Sequence, residues 1–181
     1  MKVDQRDIEE AEAIASVHVL RLLARTEDAS STEKNRAIRV VASATGIRAS
    51  EGPSTMDRSA AVDVEVELAR LRSPTLKALT VRAAFAIAYL DEVHTDAATD
   101  LLGRVCAALE PEGDGLAANE ATWVTRMRAV RRRHDAATDD FIHAVGRAAS
   151  EEELSRETYA SLVLDLDARK LEALRAVLLS D

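Results

Sequence analysis

From Ile8 to Leu178 the apolar residues recur at spacings of three and four, a rhythm that an α-helix can bury along one face and a strand cannot. Ile8, Ala11, Ala15, Val19 and Leu22 would line one side of a helix beginning near Asp4 and ending near Arg25. Leu76, Leu79, Ala83, Ile87 and Leu90 would line another, and Leu171, Leu174 and Leu178 close the chain on the same pattern. Punctuation agrees, because only six glycines and three prolines interrupt 181 residues rich in Ala, Leu, Glu, Asp and Arg. The expectation is an all-α, single-domain bundle of about seven or eight helices over residues 1–181, large enough to bury a core without disulfide or metal staples.

Start and stop signals divide the chain. Ser30-Ser-Thr-Glu33 reads as a capping box opening a second helix that runs to Thr45, where Gly46 supplies the left-handed residue. Val62-Asp-Val-Glu-Val-Glu-Leu68 alternates like a strand, yet Ala61, Val64, Leu68 and Leu71 also fit a helical stripe. With no second strand to pair it, helix is the consistent choice. Ser73-Pro74 caps and starts the next helix, and another spans roughly Asp96 to Leu109. Asn119 would cap a sixth helix, broken near His134 and resumed through Phe141, Ile142 and Val145. Ser150-Glu-Glu-Glu153 would open a last helical region, bent where Asp165 and Asp167 interrupt its stripe.

Two segments resemble each other: Leu20 to Ser30 leading into Ala37-Ile38-x-x-Val41-Ala42, and Ala84 to His94 leading into Leu101-Leu102-x-x-Val105-Cys106. Overlaid, they set the acidic pair Glu27-Asp28 on Asp91-Glu92. The unit from Leu76 to Leu109, an Ala/Leu-rich helix, the acidic turn Asp91-Glu-Val-His-Thr and a helix with Leu101, Leu102 and Val105 inward, resembles a unit of the tellurite-resistance TerB-like helical family. Ala15 to Thr45 resembles a second. Where that family has Asp followed by Gly, this chain has Asp91-Glu92 and Glu27-Asp28; at its downstream Glu stand Ala97 and Glu33. The resemblance implies two helical hairpin units within 1–110 beside a C-terminal helical part over 119–181. It also implies a non-enzymatic intracellular module of bacterial stress or defence systems, acting through partners and a divalent metal.

Charge and cysteine content narrow the classes. A formal charge of −8 repels phosphate backbones, so no nucleic-acid binding is expected, and few aromatics leave no stacking platform. One cysteine, Cys106, reads as a small buried hydrophobe and suits a reducing cytoplasm. The N-terminal residues lack the apolar core of a signal peptide, and Ala83 to Leu90 is too short to cross a bilayer, so membrane insertion is not expected.

Four constellations could carry chemistry. Asp91, Glu92, Asp96 and Asp100 offer four carboxylates to a hard divalent metal ion, although acids at a helix start also complement its positive end. Asp91-x-x-His94 and Asp140-x-x-His143 have the carboxylate-x-x-His spacing of di-metal four-helix enzymes, with Asp in place of Glu. Glu110-x-Glu112-x-Asp114-Gly115 begins like a calcium loop but has Ala121 where the closing Glu belongs. Arg126, Arg128, Arg131, Arg132 and Arg133 form a basic run in an acidic protein; Arg128, Arg131 and Arg132 would grip an anion, or Arg131 and Arg132 would simply pair with Asp135. The reading with most support is a helical protein-interaction module, with an acidic patch of Glu27, Asp28, Asp91 and Glu92 receiving a basic protein or weakly holding a divalent cation. The alternatives are a di-metal enzyme and an acidic antitoxin-type protein. A homodimer is compatible with the interaction reading.

Overall fold

The computed structural model describes residues 8–26, 32–47, 63–90, 95–110, 115–151 and 153–179, with backbone only for 115–118. Among them are seven helices: α1 (Glu10–Ala24), α2 (Thr32–Ala44), α3 (Val64–Arg70), α4 (Pro74–Tyr89), α5 (Asp96–Leu109), α6 (Gly115–Ser150) and α7 (Arg156–Leu178). No strand occurs among the described residues, and none of these helices is long and apolar enough to cross a membrane.

The core is built on α1 and α4, which are buried nearly all round. Ala13, Ala15, Val17, Val19, Leu20 and Leu23 of α1 and Leu76, Leu79, Ala83, Phe85, Ile87 and Leu90 of α4 and its cap are all buried. Two hydroxyls fit into this contact because they satisfy each other: Ser16 Oγ and Thr80 Oγ1 are 2.8 Å apart, and Thr80 also donates to the Leu76 carbonyl at 2.7 Å. Phe85 stacks on Trp123 of α6, with centroids 5.5 Å apart, and on Tyr89 at 6.2 Å. Helices α2, α3 and α5 pack around this pair; Arg104 of α5 grips Glu65 of α3 at 2.7 Å.

Local signals place most boundaries. Ser73 Oγ accepts from the Leu76 amide, Pro74 occupies the first turn of α4, and the Glu12 carboxylate of α1 takes the Ser73 amide at 3.0 Å. Thr95 caps α5, and Asp63 caps α3, so the Val62–Leu68 stretch is helical from Val64. Gly46 adopts φ 81° and ends α2 in a Schellman turn, with the Ile47 amide donating to the Ala42 carbonyl at 2.9 Å.

Four expectations are corrected. Glu9 is extended, so α1 starts at Glu10 rather than Asp4, and Ala11 is exposed because α1 turns its opposite residues inward as well. Ser30 and Ser31 of the expected capping box lie outside the described residues; α2 is helical from Thr32, and Glu33 turns its carboxylate to α6 and α7. Helix α6 runs unbroken through His134, and Asn119 lies within it. Ser150 ends α6, its hydroxyl donating to the Gly146 carbonyl, while Ser155 caps α7 by accepting from the Thr158 amide at 3.0 Å. Helix α7 is also unbroken; Asp167 leaves its apolar stripe because it bonds Arg36 and Arg39 of α2, and beyond it Ala173, Leu174 and Leu178 are buried.

Candidate interaction surface on the α6–α7 hairpin

At 36 residues, α6 is about 54 Å long, far longer than the core it helps to cover. Trp123, Met127, Val130, His134 and Ala137 bury its first half. Beyond Ala137, no described residue is buried until Ala173 on the returning helix. The two helices therefore leave the core as an antiparallel hairpin that projects about 20 Å.

A charged cluster fixes the base of this hairpin to α2. His134 places Nδ1 2.9 Å from Glu33 Oε2, and its Nε2 donates to the Lys170 carbonyl at 3.0 Å. The other Glu33 oxygen lies 2.7 Å from an Arg36 nitrogen and 3.1 Å from Lys170 Nζ. Arg36 Nε continues to Asp167 at 2.7 Å, and Arg39 reaches the second oxygen of Asp167 at 3.0 Å. Burial alone would raise the Glu33 pKa; His134, Arg36 and Lys170 outweigh it and hold the carboxyl at about 2. Burial likewise opposes the charge on Asp167, but Arg36 and Arg39 bring its pKa below the ordinary value. Charged and polar side chains thus join three helices at one place.

The projecting part has two unlike sides. Ala137, Phe141, Ala144 and Ala148 on α6 and Thr158, Leu162 and Leu166 on α7 form the seam, at helical spacing and half or fully buried. In an antiparallel pair, the residues that follow the seam positions on both helices emerge on one side, and those that precede them emerge on the other. The preceding residues are polar: Asp140, Asp165 and Arg169 border a cleft of about 300 Å³ with His143 and Arg147, and Arg169 bonds Asp140 at 2.6 Å. Of the following residues, Thr138 and Asp167 at the base are polar, whereas Ile142, Val145, Tyr159 and Val163 farther out are apolar, with Tyr159 edge-on to Phe141 at 6.0 Å. Ile142 is 59% exposed, Tyr159 47% and Val163 38%, while Leu164 on the outer face of α7 reaches 70%.

Comparison with family models, curated proteins and solved structures finds no match. The assignment of function therefore rests on this chain's own chemistry.

The sequence-derived candidates fall as follows. Glu27, Asp28, Asp91, Glu92 and His94 lie outside the described residues. Asp96 and Asp100 are exposed on the first turns of α5, and Asp140 and His143 are exposed on the polar side of the hairpin, with Asp140 bound to Arg169. Among the described residues, no group of three or more His, Cys, Asp or Glu side chains could hold a metal ion. Cys106 is buried, and burial together with the Glu110 charge pushes its thiol up to about 11, so it is not a nucleophile at neutral pH. Arg128 and Arg132 are exposed and Arg131 is half-buried; the pairing to Asp135 expected from spacing does not form. Arg126 instead lies over the Trp123 ring at 5.1 Å.

Sequence reading missed the hairpin surface and its anchoring cluster. Phe141, Ile142 and Val145 mark in the sequence only the resumption of the sixth helix, yet adjacent helical residues point about 100° apart. That adjacency was the available signal for an outward Ile142.

Proposed function

We propose that this protein is a helical interaction module whose docking element is the apolar side of the α6–α7 hairpin. The observation that carries this reading is the coincidence of Ile142, Val145, Tyr159 and Val163 on one side of a segment in which no described residue between Ala137 and Ala173 is buried. Isolated exposed apolar residues are ordinary, but a contiguous strip on a projecting element is a surface prepared for burial against another chain. The charged cluster at the base supports the same reading, because it holds the hairpin at a set angle and so reduces the ordering cost of association. The polar side, where Asp140 and Arg169 neutralise each other, remains in solvent.

A photo-crosslinking residue tests this in cells that make the protein. Placed at Ile142, it is expected to give a discrete higher-mass adduct; at Arg147, on the polar side, it is expected to give none. Absence of an adduct at Ile142, or equal labelling at both positions, would overturn the reading.

A further inference from the structure

His134 is set where both of its ring nitrogens meet acceptors. Only 5% of the residue is exposed; Nδ1 lies 2.9 Å from Glu33 Oε2 on α2, and Nε2 lies 3.0 Å from the Lys170 carbonyl on α7. Neither oxygen has a proton to give, because a backbone carbonyl never does and the Glu33 carboxyl, with its pKa held at about 2, is ionised. A neutral imidazole carries a proton on one nitrogen and a lone pair on the other, so it would press a lone pair against one of these oxygens. Turning the ring over does not help, since C–H groups would then face both. No other donor reaches the buried Oε2 of Glu33, so a bare Nδ1 would leave it unpaired.

The surrounding charges show which group gives way first. From α2 the ring faces Glu33, whose other oxygen is held by Arg36; from α7, Lys170 joins that same oxygen, and Asp167 binds Arg36 and Arg39. On α6 itself, Arg131 lies one turn before the ring, and the adjacent Asp135 is exposed. Helix α4 has no acid, and its Arg82 lies 3.5 Å from the Leu178 carbonyl. Lys77 of α4 and Asp96 and Asp100 of α5 form no ion pair among the described residues, and Arg104 of α5 holds Glu65. With a charged ring, His134, Arg36, Arg39 and Lys170 stand against Glu33 and Asp167. Of these four cations, only an imidazole changes charge near neutral pH.

We propose that His134 is a buried imidazolium and serves as a pH-sensitive latch, pinning the base of the α6–α7 hairpin to α2 and loosening when the ring loses its second proton. A neutral ring keeps one of its two contacts, so α6 lets go of either α2 or α7 at this point. Because the closed latch binds one more proton than the open one, falling pH closes it and rising pH opens it. On the acid side it persists until Glu33 is itself protonated, near pH 2. The latch does not depend on what meets the hairpin's apolar side.

Histidine 15N NMR at pH 6, assigned through the backbone, is expected to show both His134 ring nitrogens protonated. One protonated and one bare nitrogen at that pH would overturn the imidazolium. Motion is read from the distance between spin labels on Ser43→Cys of α2 and Ala149→Cys near the hairpin tip, both exposed, the buried Cys106 being unreactive. The distance distribution should be narrow at pH 6 and broaden at pH 9, and with His134→Gln it should be broad at both. Equal widths at the two pH values with His134 in place, or the same narrowing at pH 6 with His134→Gln, would overturn the latch. The first two readings use the native ring and decide the matter even where His134→Gln does not fold.

Discussion

Replacing Glu33 by glutamine tests whether the charged cluster holds the hairpin to α2. The side chain keeps its size but loses the charge that faces His134, Arg36 and Lys170. A carboxyl with a pKa of about 2 in place of the ordinary 4.5 is worth about 3 kcal/mol at 1.36 kcal/mol per pH unit. Because 28% of the Glu33 side chain remains exposed, solvent screening lowers the expected effect to about 2 kcal/mol. The folded pKa is the lower one, so the contribution is full above about 4.5 and is lost as pH falls toward about 2. Urea denaturation should therefore find Glu33→Gln about 2 kcal/mol less stable at pH 7, with the gap closing progressively as the pH is lowered below 4.5. In a chain of this length, the same loss lowers Tm by about 4–8 °C. Equal stability at pH 7, or a gap that persists undiminished at pH 2, would refute the reasoning.

Two further predictions follow from single residues. Gly46→Ala, at φ 81°, should cost about 1–2 kcal/mol, measured by denaturant midpoint, because a Cβ is strained in the left-handed region. Cys106, with its thiol pushed up to about 11, should resist alkylation in the native protein at pH 8 and react once urea exposes it; rapid native labelling would show the burial to be wrong.

The anchoring cluster and the hairpin surface differ in how each was written in the sequence. Glu33 was legible as a helix-start residue, because Ser/Thr followed by Glu is a local signal. That its carboxylate would instead meet His134 and Lys170, more than a hundred residues away, has no local signature. Asp167 looked like a break in an apolar stripe for the same reason: its partners, Arg36 and Arg39, belong to α2. Ile142 and Tyr159 were legible as apolar positions on helices, but period alone does not say whether such a position meets the core or overhangs it.

By itself the sequence determined the helical class, the helix assignment of Val64–Arg70, the ends of α4 and α5, and the stop at Gly46. These depend on residues within one or two turns of each other, where capping, proline geometry and a left-handed glycine act. Tertiary structure decided that α1 and α4 are buried nearly all round, that α6 and α7 pass unbroken through their polar interruptions, and that their far ends stand clear of the core. The physical reason is that burial depends on which helices surround a given face, and the free energy that selects those neighbours comes from contacts between residues far apart in the chain.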